Sequence, residues 1–144
     1  MSVIRQLLLL VGLAFLPAIG QALYYRNSTI WQEQPPTDSA LVSLTEAEGW
    51  GDKVLWIDAR PDDQFARGHI PGGIQLNEDQ WDTLLREMLT AWSPERKVVV
   101  YCSRKTCNLS HEVAERLRKE LGEEAAKNIF VLRGGWEEWE QQHR

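Results

Sequence analysis

From residue 41 onward the chain alternates short continuous apolar runs with longer stretches in which apolar residues recur every three or four positions. Val54–Ile57 is apolar throughout and of strand length, and Asp58 ends it. Ile74–Leu76 predicts a second, shorter strand, Val98–Tyr101 a third and Ile129–Leu132 a fourth. Val98–Tyr101 is apolar on both faces, as a strand buried between two layers should be. Trp81, Leu84, Leu85, Met88, Leu89 and Trp92 keep helical spacing, with Asn77 as the cap and Gln80 three residues on. Leu109, Val113, Ala114, Leu117 and Leu121 form another helical stripe, closed by Gly122. Ser43-Leu44-Thr45-Glu46 has the form of a capping box and predicts a short helix stopping near Gly49 or Gly51. Trp136 to Gln141 predicts a last short helix, whereas residues 60–73, rich in Pro, Asp and Gly, read as a connection. Strands alternating with helices define the α/β class: a parallel sheet covered on both faces.

The first forty residues follow a different rule. From Gln6 to Tyr25 the chain carries no charge and is flanked by Arg5 and Arg26. As a helix at about 1.5 Å per residue this run is roughly 30 Å long, the thickness of a bilayer's hydrocarbon core. Its apolar centre, Leu7 to Leu16, is short enough for a cleavable signal, and Gly20-Gln21-Ala22 offers a small-x-small cleavage site. Leu23, Tyr24 and Tyr25 extend the run and suit an interfacial belt. Residues 1–26 are therefore expected to form a signal peptide or a transmembrane anchor, an N-terminal hydrophobic helix that meets the membrane through residues 4–25. A buried core helix fits less well, because Leu7–Leu10, Val11 and Leu13 leave no polar face. Either leading reading implies a membrane-anchored or exported protein; the extracytoplasmic (periplasmic) side is the expected one, although a single arginine on each flank does not settle the orientation. Residues 27–40, polar and carrying Pro35-Pro36, read as a spacer, and residues 41–144 as one domain.

Composition narrows the function classes. Hydrophobic residues make up 43% and charged residues 26% of 144, which excludes wholesale disorder. The net charge is −5, and the first 26 residues hold two arginines and no acid, so the domain itself is more acidic still. Nucleic acid is thus not an expected partner, since phosphate neutralisation needs a basic face. Two cysteines cannot build a disulfide scaffold, but they can build a site.

In a parallel sheet, reactive groups collect at the carboxyl ends of the strands, where loops lead into helix N-termini. Cys102 follows the strand Val98–Tyr101, and the next helix is expected to begin near Asn108 or Ser110. Loop amides and a helix N-terminus can hold an anion there, and Arg104 and Lys105 add positive charge. All three favour thiolate, the nucleophilic form. The bland alternative is a buried cysteine acting as a small hydrophobe.

Three stretches together resemble the rhodanese-like (sulfurtransferase) domain, over about residues 41–141. Ile57-Asp58-Ala59-Arg60 with Phe65-Ala66-Arg67-Gly68-His69-Ile70-Pro71-Gly72-Gly73 is similar to the family's first signature. Val98-Val99-Val100-Tyr101-Cys102 with its helix is similar to the active-site loop, and Val131-Leu132-Arg133-Gly134-Gly135-Trp136-Glu137-Glu138-Trp139 to the closing signature. The resemblance implies five parallel strands with helices on both sides. It also implies a Cys102 nucleophile that takes sulfur from thiosulfate or a related anionic donor and passes it to a thiol acceptor. Ser103, Arg104, Lys105, Thr106, Cys107 and Asn108 would form the substrate-binding loop, with no metal or organic cofactor.

The loop departs from the family's usual form, being about two residues longer, with Ser110 similar to the usual helix-entry serine. A longer loop suggests the phosphatase branch that regulates the cell cycle. That branch resembles Cys-x5-Arg, however, and the sixth residue after Cys102 is Asn108. Without an arginine to bind two phosphate oxygens side by side, phosphate-monoester chemistry is disfavoured. Gln64 stands where the family often shows Glu. Cys107 is a candidate resolving thiol that could close a disulfide with Cys102, which would make the protein a thiol–disulfide exchanger; it could equally have no role. A non-catalytic binding module at a membrane is the further alternative. Two cysteines and His111 make a poor zinc site.

Asp58, Arg60 and Arg133 are candidates to line the pocket, although Asp58 and Arg60 would more often bond neighbouring loops. His69 is expected to be a turn histidine satisfied by backbone. His111 sits where a helix dipole disfavours its protonation, so it is not expected to act as a general base. The seven tryptophans read as core, rim and interface anchors.

Overall fold

The structure, a computed structural model, describes residues 41–103 and 107–144 together with the isolated Val3. The chain divides into two units, Met1–Pro35 and Pro36–Arg144, and the fold that follows belongs to the second. Apart from Val3, the expected signal or anchor (residues 1–26) and the spacer (27–40) lie outside the described residues. Among the described residues no helix is long and apolar enough to cross a membrane.

The elements run β1 (Leu41–Val42), α1 (Leu44–Gly49), a 3₁₀ turn (Gly51–Lys53), β2 (Val54–Asp58), α2 (Asp62–Arg67) and β3 (Ile74–Gln75). There follow α3 (Trp81–Ala91), β4 (Lys97–Tyr101), α4 (Cys107–Leu121), α5 (Glu123–Ala126), β5 (Ile129–Leu132) and α6 (Gly135–Gln142). The strands form one five-stranded sheet in the order β1-β5-β4-β2-β3. Every pairing is parallel, with Ile57 opposite Val100 and Val100 opposite Val131.

The continuous apolar runs are explained by that order. β4 is central, and Val98, Val99, Val100 and Tyr101 are each 0% exposed. Alternate residues feed opposite cores, so each side chain contributes about 1.5–3 kcal/mol of burial to one face or the other. Leu55, Ile57, Val98 and Val100 pack with Met88 of α3 and with Val113 and Leu117 of α4. Val54, Val99 and Tyr101 pack on the other face with Leu44 and Ala47 of α1 and with Trp136 and Trp139 of α6.

Local signals account for several ends. The Ser43 hydroxyl accepts from the Glu46 amide at 3.3 Å and caps α1 as its sequence predicts. Asn77 accepts from the Gln80 amide at 3.1 Å, but it caps a turn that precedes α3 rather than the helix itself. β1 is a fifth strand that no hydrophobic period announces, since two residues are too few to show one. α2 sits inside the stretch read as a connection. Pro61 before it, Asp62 and Asp63 in its first turn and Arg67 in its last are helix start and stop signals that the Pro, Asp and Gly content obscures.

Candidate active site

β4 delivers Cys102 and Ser103 to the carboxyl edge of the sheet, between β5 and β2. Two neighbouring segments fix the backbone there. The Ala59 amide donates to the Tyr101 carbonyl at 2.9 Å, and the Trp136 amide donates to the Cys102 carbonyl at 2.8 Å. The second contact requires α6 to start almost on top of Cys102. Gly134 and Gly135, at φ +79° and +60°, make that approach, and a Cβ on Gly135 would lie 2.2 Å from the Cys102 carbonyl oxygen.

The Cys102 side chain is 4% exposed and joins the core that contains Ala59, Val113 and Ala114. Its Sγ lies 3.2 Å from the Ser110 hydroxyl. α4 begins at Cys107, not at Asn108 or Ser110 as expected, so neither of those residues is its N-cap. Ser110 instead stands in the first turn, buried, with its hydroxyl turned toward the sulfur. A hydroxyl at that distance can donate to a thiolate or accept from a thiol. Asn108 is exposed. Arg104, Lys105 and Thr106 of the expected binding loop, and the side chain of Cys107, lie outside what is described.

Asp58 and Arg60 form a buried ion pair at the same edge, 0% and 3% exposed. Arg60 donates from its amide (3.0 Å), from Nε (2.9 Å) and from Nη2 (2.5 Å) to the Asp58 carboxylate, and from Nη2 to the Gly68 carbonyl at 2.7 Å. The guanidinium lies 4.6 Å from the Trp136 ring centroid and 5.7 Å from that of Tyr101. Burial works against the Arg60 cation, but the hydrogen bonds and charge of Asp58 outweigh it and hold the group above its ordinary value. Burial, and then Asp58, also push the Tyr101 phenol well up. The Tyr101 hydroxyl accepts from the Ile70 amide at 3.1 Å, which pins the connection between α2 and β3.

Arg60, Arg67, Ser103, Trp136, Glu137 and Glu140 share the walls of a cavity of about 260 Å³. Of the three expected lining residues, Arg60 reaches it. Asp58 lies beneath, wholly buried by its pairing with Arg60, and Arg133 is exposed, its amide donating to the Val42 carbonyl at 2.9 Å. Cys102 does not line this cavity, because alternation along β4 sends Tyr101 to one face and Cys102 to the other. His69 Nδ1–H donates to the Phe65 carbonyl at 3.1 Å, and its ring stacks on Phe65. Burial first, and then Arg118, lower the His111 value, causes additional to the expected helix dipole. Trp136, Glu137 and Glu140 of α6 were not among the expected site residues. The closing Gly134-Gly135 turn is the signal that could have pointed to them.

A parallel five-stranded sheet with helices on both faces and a cysteine at the end of its central strand defines a sulfurtransferase- or phosphatase-like domain. Residues 42–142 match the Rhodanese-like domain model, and the chain belongs to that family. It is 26% identical over 117 residues to M-phase inducer phosphatase 3 of Bos taurus, covering 73% of this chain and 24% of that protein. The chain thus spans about a quarter of that relative's length. Among solved structures, a rhodanese-related protein of Thermoplasma volcanium is similar at a TM-score of 0.53 and 20% identity, over 70% of this chain and 90% of that one. The BH2092 protein of Bacillus halodurans is similar at 0.57 and 16%, over 88% and 82%. A variant of EanB, in complex with ergothioneine covalently linked to a persulfide cysteine, is similar at 0.52 and 22%, over 69% of this chain and 25% of that one. At these identities the likeness is one of fold.

Proposed function

We propose that the domain is a sulfurtransferase in which Cys102 carries a persulfide. The thiolate attacks the outer sulfur of thiosulfate or a related donor, forming a new S–S bond as the old one breaks and releasing sulfite with the bonding pair. An acceptor thiolate then attacks the outer sulfur of the persulfide, and the electron pair of that bond returns to Cys102. The observation that carries this reading is the Cys102 sulfur within 3.2 Å of a helix-borne hydroxyl, at the carboxyl end of the central strand. Donating to the sulfur, the Ser110 hydroxyl would hold the charge of the bound sulfur in place.

The phosphatase relative offers the competing chemistry. Asn108 stands where a phosphate-binding arginine would be needed, and the buried Arg60 already serves Asp58 through Nε and Nη2. A non-catalytic binding module has one observation in its favour, the 4% exposure of Cys102. Intact mass after thiosulfate treatment separates the readings. The sulfurtransferase gains the mass of one sulfur atom, and Cys102→Ser does not; no gain with several donors overturns the proposal. Hydrolysis of a phosphate monoester that depends on Cys102 would establish the phosphatase instead.

The uncharged run from Gln6 to Tyr25 supports a second part of the proposal: that the domain is exported or held at a membrane. The native protein's mass reports whether the segment is removed. Extraction of the uncleaved chain from membranes by alkaline carbonate would refute a spanning anchor.

A further inference from the structure

The carboxyl edge of the sheet holds a second recess, on the face that receives Cys102. Ile57 and Val100 are register partners in one core, and two residues further on Ala59 and Cys102 enter that same core. The Ala59 amide donates to the Tyr101 carbonyl at 2.9 Å, so the register runs on past β4 and sets Ala59 beside Cys102, one strand spacing of about 4.8 Å away. On the other side, the Ser110 hydroxyl lies 3.2 Å from the sulfur, with Leu109 preceding it and Val113 one turn on along α4. Ala59, Leu109 and Val113 all wall one notch. The notch is thus bounded by the neighbours of the sulfur on both sides.

Size and charge limit what the notch admits. Its volume is about 70 Å³, against roughly 30 Å³ for one water and upwards of roughly 300 Å³ for a drug-sized pocket. A slim, unbranched thiol end fits, and the remainder of such a molecule stays at the mouth. Ala59 and Val113 form a buried apolar floor. Asn77, also in the wall, is fixed at both ends: it donates to the Asp62 carboxylate at 3.2 Å and accepts from the Gln80 amide at 3.1 Å. The mouth is acidic, since Glu78 and Asp79 are exposed there. The Arg116 guanidinium engages Glu78, whereas Asp79 has no cationic partner among the described residues.

We infer, on the persulfide reading of Cys102, that this notch is the approach by which a small acceptor thiol reaches the sulfur. Asp79 at its mouth makes it favour aminothiols, which end in an ammonium, over thiols that end in a carboxylate. The acceptor thiolate attacks the outer sulfur, the bond from that sulfur to Cys102 breaks with its pair returning to Cys102, and the acceptor leaves as a persulfide. Screening sets the reach of the Asp79 charge at about 10 Å in 0.1 M salt, so it acts on a group at the mouth and not across the domain.

Charged reagents that report access to the sulfur test the notch without sulfur transfer. In the full chain carrying Cys107→Ser, the Cys102 thiolate attacks 2-aminoethyl methanethiosulfonate, a cation, or 2-sulfonatoethyl methanethiosulfonate, an anion. Each forms a mixed disulfide and expels methanesulfinate with the bonding pair. At low ionic strength the rate ratio, cation over anion, should fall at least about threefold in Asp79→Asn and further in Asp79→Lys, and the differences should fade in about 1 M salt. Glu123→Gln removes the same charge at the amino edge of the sheet, where α5 leads into β5, and should leave the ratio unchanged. Discharge of the persulfide by 2-aminoethanethiol, relative to 3-mercaptopropionate, should fall in parallel in Asp79→Asn. A ratio that Asp79→Asn leaves unmoved, or that Glu123→Gln lowers equally, overturns the notch as the approach. If Cys102 still gains sulfur from thiosulfate in that case, only the notch falls. If the reagent ratio moves as expected and Cys102 never gains sulfur, the acceptor role is overturned along with the sulfurtransferase, and the notch stands as the access to the thiol alone.

Discussion

Replacing Gly135 with alanine strikes the joint between the first turn of α6 and the reacting residue. The position has φ +60°, a left-handed conformation that costs a non-glycine residue about 1–2 kcal/mol. The added Cβ would also lie 2.2 Å from the Cys102 carbonyl oxygen, although real Cβ atoms essentially never come within 3.0 Å of another heavy atom. Backbone has to move, and the group that moves is the carbonyl that accepts from the Trp136 amide at 2.8 Å. Overpacking of this kind costs about 1–3 kcal/mol, and losing a buried hydrogen bond a further 1–3 kcal/mol or so. Gly72 is the internal control: its φ is +76°, and an added Cβ would meet nothing within 4 Å. Gly72→Ala should therefore lose only the strain, about 1 kcal/mol once the stiffer unfolded chain is counted. Gly135→Ala should lose at least about 3 kcal/mol. Urea denaturation of the two variants under identical conditions measures the difference. Persulfide loading of the folded fraction of Gly135→Ala should fall as well, because Cys102 shifts with its carbonyl. Equal stability losses in the two variants would refute the close-approach argument and leave backbone strain as the whole effect.

Asp58→Asn leaves the Arg60 guanidinium buried without its countercharge, and should cost about 3–5 kcal/mol in urea denaturation; a loss under about 1 kcal/mol would mean that Arg60 finds water or another partner. Ser110→Ala removes the hydroxyl 3.2 Å from Sγ, so persulfide loading should slow by about an order of magnitude and alkylation of Cys102 should shift to higher pH. Both readings are best taken in a Cys107→Ser background, and an unmoved pH profile would reduce Ser110 to packing. Tyr101 is held above its ordinary value in the folded chain, so stability is intact below the unfolded value of about 10 and declines as the pH rises past it, by up to about 1.4 kcal/mol per pH unit. Urea midpoints between pH 8 and 11 should fall more steeply for the native chain than for Tyr101→Phe, and parallel slopes would contradict a suppressed phenol.

The pattern of apolar positions carried most of the architecture, because burial is a local property of each residue type and strands and helices impose different periods on it. Val98–Tyr101 had to be central, since a run without a polar face has no solvent side to offer. The Cys102 position at the end of that run, the capping serine of α1 and the stripe of α4 were legible for the same reason. Leu41-Val42 was not, because what makes it a strand is its pairing with Val131 and Leu132, some ninety residues along the chain. Nor could spacing place Ser110. The start of α4 decides which way that hydroxyl points, and one helical residue turns a side chain by roughly 100°. The same limit applies to the pocket. Asp58, Arg60, Ser103 and Trp136 are each identifiable as residues near strand ends. Which of them is buried as an ion pair, which lines a cavity and which face receives the sulfur depend on contacts between segments far apart in sequence, and only the folded packing of the sheet edge determines those.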